Sequence, residues 1–186
     1  MEPTFPSLLC AVCCLWLFTA IAGVDGLYFH LYRFKLYARP QSIYEHKLHT
    51  INAVLFVPQV ILLFLVQGGG LWLWLLLGLF LTTVAVEVTD VLCEEDSRRD
   101  IGGLSSVEYL MHFLMAGLRF GWVIPMLFGL PSEAWSLAHT GLQLRPLWLL
   151  IAGGWIAGPA SIIAAIHVVL ALRSYPPDVA AKPAAG

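Results

Sequence analysis

Long apolar stretches alternate along the chain with short polar segments, and each stretch is long enough to cross a lipid bilayer. About 20 apolar residues in a helix span the hydrocarbon core. Because helices satisfy their own backbone hydrogen bonds in lipid, and the alternating pattern of a β-barrel is absent, the pattern predicts five transmembrane helices. Their predicted ranges are residues 7–37, 41–67, 71–97, 105–129 and 146–173.

Glycine and polar residues mark the breaks between these stretches. Three glycines at 68–70 precede the third helix, and Gly102 and Gly103 precede the fourth. Residues 131–145 are predicted to form a polar interfacial loop. We expect one transmembrane helical domain over residues 1–175 and a disordered Pro/Ala-rich tail over 176–186. Glu2 stands where a signal peptide would carry basic residues, so the first helix is expected to be retained.

Composition and charge agree with a membrane protein. Of 186 residues, 59% are hydrophobic and 12% are charged, whereas a soluble domain carries about 25% charged residues. A net charge of −2 argues against a nucleic-acid partner. The positive-inside rule predicts an outer N-terminus and a cytoplasmic C-terminus in the cell membrane. The basic residues on the predicted inner side are Arg33, Lys35, Arg39, Lys47, Arg98, Arg99 and Arg173.

Acidic residues and histidines are concentrated at one end of every apolar stretch. In an antiparallel bundle these ends converge on one face of the membrane, and carboxylates with imidazoles on facing helices are typical of a metal site. His167, near the close of the fifth helix, is expected to be a core or interfacial residue. The predicted ligands are Asp25, His30, Glu45, His46, His49, Glu87, Asp90, Glu94, Glu108 and His112.

The second and fourth helices both open with the pattern S-x-x-E-x-x-x-H. Each follows a helix that ends in acidic residues, which predicts a duplicated helical hairpin and a core four-helix bundle. The pattern S-x-x-E is also a capping box, so both glutamates could be caps alone. The histidine four residues later lies on the same face and favours a ligand role. The residues are Ser42, Glu45 and His49, and Ser105, Glu108 and His112.

The third helix carries Glu87, Asp90 and Glu94 on one face, because they are three and four residues apart. Repulsion among three carboxylates at a membrane edge is costly, and a divalent metal would offset it. A solvated helix end is the alternative for Glu94. Arg98 is expected to face water.

Helix geometry bears on the ligand role of two histidines. His30 follows Asp25 by five residues, so in an α-helix the two side chains point in different directions. His30 is therefore either a ligand or an interfacial residue. His46 and His49 form an H-x-x-H pair, but Glu45 and His46 are not expected to face the interior together.

Two further polar residues lie deeper in the predicted helices. Asn52 continues the face of Glu45 and His49 and is a candidate hydrogen-bond donor to the ligands. Arg119 shares the face of His112, and a lone arginine there needs a partner. It is predicted either to pair with an acidic residue or to anchor an anionic substrate group.

Four successive helices carry in turn an acid, a Glu/His pair, a second acid and a second Glu/His pair. This order resembles the di-iron carboxylate proteins, namely ferritin-like proteins and alternative oxidases. The resemblance implies that Asp25 and either Glu87 or Asp90 are single carboxylate ligands. It implies that the Glu/His pairs of the second and fourth helices are paired ligands. The chain departs from the family in its E-x-x-x-H spacing, in its first acid and in its membrane-spanning helices.

These patterns predict a metal centre of two irons, or of manganese, that uses O₂ to oxidise a lipid-like substrate entering from the bilayer. A redox partner would supply electrons, and Arg119 and Asn52 would assist at the site. The alternatives are a zinc hydrolase of a lipid amide or ester with Asp90 as base, and an electron carrier with haem between His49 and His112. A metal or proton translocator and a structural subunit without a site also stay open.

Overall fold

The computed structural model describes residues 4–139 and 141–173, most of which lie in five long helices. All five are long and apolar enough to cross a membrane, which confirms the predicted all-α class. The predicted disordered tail lies outside the described residues. The helices are α1 (Phe5–Gly23, continued by a π-helical segment at Val24–Arg33), α2 (Ile43–Val60, continued by a π-helical turn at Ile61–Leu65), α3 (Leu71–Arg98), α4 (Ser106–Phe128) and α5 (Leu147–Arg173).

The helices pack as two close pairs with the fifth helix at one side. α1 lies along α4, and α2 lies between α3 and α5. The buried apolar core occupies one half of the bundle, where the rings of Phe18, Phe56 and the fully buried Trp122 pack in tilted and edge-to-face arrangements with centroids 5.4–6.1 Å apart. The other half, which holds the C-terminal ends of α1, α3 and α5 and the N-terminal ends of α2 and α4, is called the polar end below.

A small β-ribbon closes the apolar half. β1 (Val66–Gly68) pairs antiparallel with β2 (Leu142–Leu144), with Val66 opposite Leu144. Residues 131–145 therefore contain a strand and a 3₁₀ turn (Ser132–Trp135), and the prediction of a plain polar loop there was incomplete. Gly70 adopts φ +54°, and a Cβ at this position would collide with the backbone carbonyl of His139. Only glycine fits at this junction.

Candidate metal centre

Three histidines from three helices converge at the polar end. His30 comes from α1, His49 from α2 and His112 from α4. The ring centroids of His30 and His49 lie 3.9 Å apart, and His112 lies 6.3 Å from His30 and 6.4 Å from His49. His30 is fully buried, and the other two rings are largely enclosed. Several nitrogens of these imidazole rings therefore lie close together in one small region of the bundle.

The π-helical end of α1 explains how His30 joins this cluster. In a π-helix the backbone hydrogen bonds run between residues five apart, so residues at i and i+5 stack on one face. Asp25 and His30 have this spacing, and Nε2 of His30 lies 3.4 Å from Oδ2 of Asp25. The expectation that these side chains point in different directions was wrong, because it assumed regular α-helical geometry.

Three carboxylates face the three histidines. Asp25 also reaches the ring of His112, with Oδ1 lying 3.4 Å from Nε2. Asp90 on α3 lies beside His49, with 2.9 Å between Oδ2 and Nε2. Glu94, one turn further along α3, lies 3.1 Å from Nδ1 of His112 through Oε1. Glu94 is only 7% exposed, so the alternative of a solvated helix end is wrong for this residue.

Several lone-pair atoms of the cluster are buried without a well-formed hydrogen bond to any described residue. They include both ring nitrogens of His30, Nε2 of His112 and one oxygen on each of Asp25 and Asp90. Buried polar atoms without partners are costly. Two sets of ligand atoms lie within 4.8 Å of one another, one from Asp25, His30 and His112, the other from His30, Glu45 and His49. Imidazole nitrogens and carboxylate oxygens at these separations fit a divalent cation.

Arg98 forms ion pairs with Glu45 and Glu108, the two glutamates that the sequence predicted to be metal ligands. Its side chain is fully buried, with Nη2 lying 2.7 Å from Oε1 of Glu45 and Nη1 lying 3.0 Å from Oε1 of Glu108. Ser97 donates a hydrogen bond to the other oxygen of Glu45. The expectation that Arg98 faces water was wrong, because two carboxylates from neighbouring helices neutralise it inside the bundle. Sequence reasoning also gave Ser97 no role.

The two S-x-x-E motifs differ in the structure. At the start of α4, Ser105 and Glu108 form a complete capping box. At the start of α2, the hydroxyl of Ser42 instead donates to the backbone carbonyl of Ser97 on α3, at 2.8 Å, and makes no cap. Glu45 pairs with Arg98, as the capping residue Glu108 does from α4. The same local pattern serves as a cap in one helix and as a link between helices in the other.

A second histidine pair lies on the α5 side of α2. His46 stacks on His167 with 5.3 Å between ring centroids, and both rings are buried. Glu45 and His46 are both fully buried, so the expectation that they cannot face the interior together was wrong. His46 faces α5, whereas Glu45 faces α3. His167 was predicted to be a core or interfacial residue, and its pairing with His46 was not predicted. A single histidine in the last turns of an apolar helix was the signal that could have indicated this pairing.

A cavity of about 250 Å³ extends from the histidine cluster toward the apolar core. At its polar end it is lined by Asp25, His49, Asp90 and His112, and elsewhere mostly by apolar residues of α1, α2, α4 and α5. Three other residues singled out by the sequence, Asn52, Glu87 and Arg119, line it further along.

Glu87 and Arg119 pair with each other across the cavity wall. Oε1 of Glu87 lies 2.6 Å from Nη2 of Arg119, and no imidazole contact with Glu87 occurs among the described residues. The structure thus places Glu87 with Arg119, whereas Asp25, Asp90 and Glu94 lie with the histidines.

Comparison with protein-family models, curated proteins and solved structures gives no match for this chain.

Proposed function

We propose that this chain is an integral-membrane metalloenzyme whose dinuclear centre oxidises an apolar, lipid-like substrate. The observation that carries the proposal is the meeting of three imidazoles and three carboxylates from α1 to α4 at the head of an apolar cavity. Asp25, Asp90 and the three imidazoles supply nitrogen and oxygen ligands without a thiolate, and these five side chains suit two iron or manganese ions better than one.

The residues divide between two ions according to their neighbours. Asp25 and His112 would hold one ion, and His49 with Asp90 would hold the other, with His30 between them. Glu94, at Nδ1 of His112, would orient that ring. Arg98 already occupies Glu45 and Glu108, so these two act by positioning α2, α3 and α4 around the centre. In this proposal the ligand set is therefore smaller than the sequence predicted.

Bound iron would supply the activation of O₂ that side chains cannot perform. In a hydroxylation, one oxygen atom enters a C–H bond of the substrate and the other leaves as water. An external electron donor supplies two electrons, and two protons come from solvent. The chain itself contributes the apolar walls that hold the substrate and exclude water from the cavity.

Access from the bilayer is supported by the outer surface of the cavity. Trp155 on α5 and Val91 on α3 line the cavity and are 71% and 58% exposed on the outside of the bundle. An apolar substrate could therefore pass between helices from the surrounding lipid. A redox partner would deliver electrons at the polar end, which by the distribution of basic residues is the cytoplasmic side.

The packing also supports a duplicated hairpin. A pseudo-two-fold axis that exchanges α1 with α3 and α2 with α4 would convert the α1–α4 contact into the α3–α2 contact. These are the two most extensive contacts among the first four helices. We infer that the polar end was built from two copies of one hairpin, each supplying an acid and a histidine.

A zinc hydrolase is the second candidate, favoured by one specific contact. Glu94 lies at Nδ1 of His112 while Nε2 of the same ring faces Asp25. A carboxylate on the far nitrogen of a metal-bound histidine is the usual arrangement in zinc enzymes. Asp25, His30 and His112 would then hold one zinc with an open fourth position. Asp90 would act as the base in hydrolysis of a lipid ester or amide.

Metal analysis of the purified full-length chain tests both candidates. About two iron or manganese ions per chain support the oxidase, and one zinc supports the hydrolase. In the dinuclear centre His49→Ala and His112→Ala should each lower the metal content, and in the zinc site His112→Ala should. His139→Ala, at an exposed loop histidine, should not lower it in either case. A haem Soret band, or an equal metal content in all three variants, would overturn the proposed centre.

A further inference from the structure

The second polar feature of the cavity is the Arg119–Glu87 pair, which the metal centre does not use. Arg119 is 3% exposed, and its guanidinium lies over the ring of Phe18, with Cζ 4.6 Å from the ring centroid. Nη2 is taken by Glu87 at 2.6 Å. Arg119 lies seven residues beyond His112 on α4, which is about 10 Å along the helix axis.

The remaining donors of Arg119 lack partners. Nε and Nη1 are buried and make no hydrogen bond with any residue that the structure describes. The side-chain oxygen of Asn52, which lines the same cavity, is likewise buried without a donor. Unsatisfied buried groups of this kind are costly, and each points to a ligand atom that would satisfy it. A hydrogen-bond acceptor would satisfy Nε or Nη1 of Arg119, and a donor would satisfy the side-chain oxygen of Asn52.

The charge of the pair restricts the class of acceptor. Glu87 already compensates the positive charge of Arg119, so the pair is neutral in sum. A carboxylate or phosphate bound beside it would place a net negative charge among apolar walls, which is expensive. A neutral carbonyl oxygen can accept from Nε or Nη1 without this cost. The earlier expectation of an anionic group at Arg119 does not fit a paired arginine.

We propose that the cavity binds a neutral lipid-soluble molecule through a carbonyl oxygen held by Arg119. A hydroxyl of the same molecule, where present, would donate to Asn52. The inference rests on the proposed function, because it names the substrate class of that same cavity. A molecule bound by its carbonyl at Arg119 would extend its carbon chain along α4 toward His112 and the histidine cluster.

Binding of three matched twelve-carbon probes to the purified full-length protein tests this. Dodecan-2-one carries the carbonyl, dodecane lacks it, and dodecanoate carries a charge. Wild-type protein should bind dodecan-2-one about tenfold or more tighter than dodecane, the usual effect of a hydrogen bond to a charged group. A ¹³C-labelled carbonyl should show a lowered stretching frequency when bound. Dodecanoate should bind more weakly than the ketone.

Two variants separate the carbonyl contact from general packing. Arg119→Met should abolish the preference for the ketone over dodecane and restore the carbonyl frequency seen in lipid. Glu87→Gln leaves Arg119 without its counter-charge, so dodecanoate should gain affinity and become the preferred probe. This gain cannot come from misfolding. Arg99→Met, an exposed arginine outside the cavity, should change none of these values.

The outcomes are distinct from those of the metal test. Equal binding of ketone and dodecane by wild-type protein, or tighter binding of dodecanoate, would overturn the inference. So would an unchanged ketone preference in Arg119→Met. Metal content is measured on the same samples. Wild-type protein that contains metal but shows no ketone preference refutes only this inference. Wild-type protein that shows the preference but contains no metal as purified refutes only the metal centre.

Discussion

Arg98 and Glu45 form a fully buried ion pair, in which Nε lies 2.9 Å and Nη2 lies 2.7 Å from the same carboxylate oxygen. The pair joins α3 to α2, and Glu108 extends it to α4. Taking these charges out of water is costly, so the group stabilises the bundle only while all partners are present. It lies immediately beside the histidine cluster and fixes the helices that carry it.

Removal of Arg98 should therefore destabilise the protein strongly. Arg98→Met leaves two buried carboxylates uncompensated, and such losses cost about 3–5 kcal/mol. Arg99→Met is the matched control, because Arg99 is exposed and pairs with the exposed Asp96, and substitutions at such sites cost about 0.5 kcal/mol or less. Unfolding of both variants in mixed detergent micelles measures the difference. Equal stability of the two would contradict a structural role for Arg98.

The assignment of Glu45 to Arg98 rather than to metal gives a second prediction. Glu45→Gln should lower stability while leaving most of the metal content unchanged, because all ligands of the proposed centre are intact. Asp25→Asn should instead lose metal, since Asp25 contacts both His30 and His112. Metal content and thermal stability are measured together on each variant. Metal loss in Glu45→Gln with full occupancy in Asp25→Asn would reverse the assignment.

Metal removal should lower stability through linkage. A metal that binds only the folded chain stabilises it by about 2.7 kcal/mol at a hundredfold excess over Kd. Dialysis against a chelator should therefore lower the Tm of wild-type protein, and restored metal should raise it again. His112→Ala should show no such response, because it lacks a central ligand. A wild-type Tm that ignores the chelator would count against a bound ion.

The two serines of the repeated motif should respond differently to alanine. Ser105→Ala removes the cap of α4, costs about 1 kcal/mol, and exposes the Glu108 amide to faster hydrogen exchange. Ser42→Ala should leave the exchange of the Glu45 amide unchanged, because Ser42 bonds to Ser97 on another helix. Exchange measured by mass spectrometry distinguishes them. Similar effects at both helix starts would show that Ser42 also caps.

Orientation in the membrane can be tested at two exposed positions on opposite ends of the bundle. The basic residues predict that Asp100, at the polar end, faces the cytoplasm and that Ser136 faces outward. In a cysteine-free background, Ser136→Cys should react with an impermeant maleimide in intact cells. Asp100→Cys should react only after the cells are opened. The opposite labelling pattern would invert the predicted topology.

The sequence alone determined the five helices and the common polar end. Apolar length and glycine breaks are local signals, and the predicted boundaries differ from the observed ones by only a few residues. Chain reversal between successive spans then forces the acidic and histidine-rich ends to one side, whatever the details of packing. The metal ligands, iron and the oxidation chemistry stay predictions, and Asp25, His30, His49 and His112 are placed together as the proposed centre requires.

Only the tertiary structure decided which of these residues meet. The π-helical end of α1 aligned Asp25 with His30, and no α-helical periodicity could have shown it. Arg98 is buried because it pairs with carboxylates from α2 and α4. Such ion pairs join different helices, so the packing of the helices determines them. The spacing of residues in the sequence indicates which side chains share one face of a helix. Which side chain pairs with a buried charge depends on the free energy of the whole folded bundle.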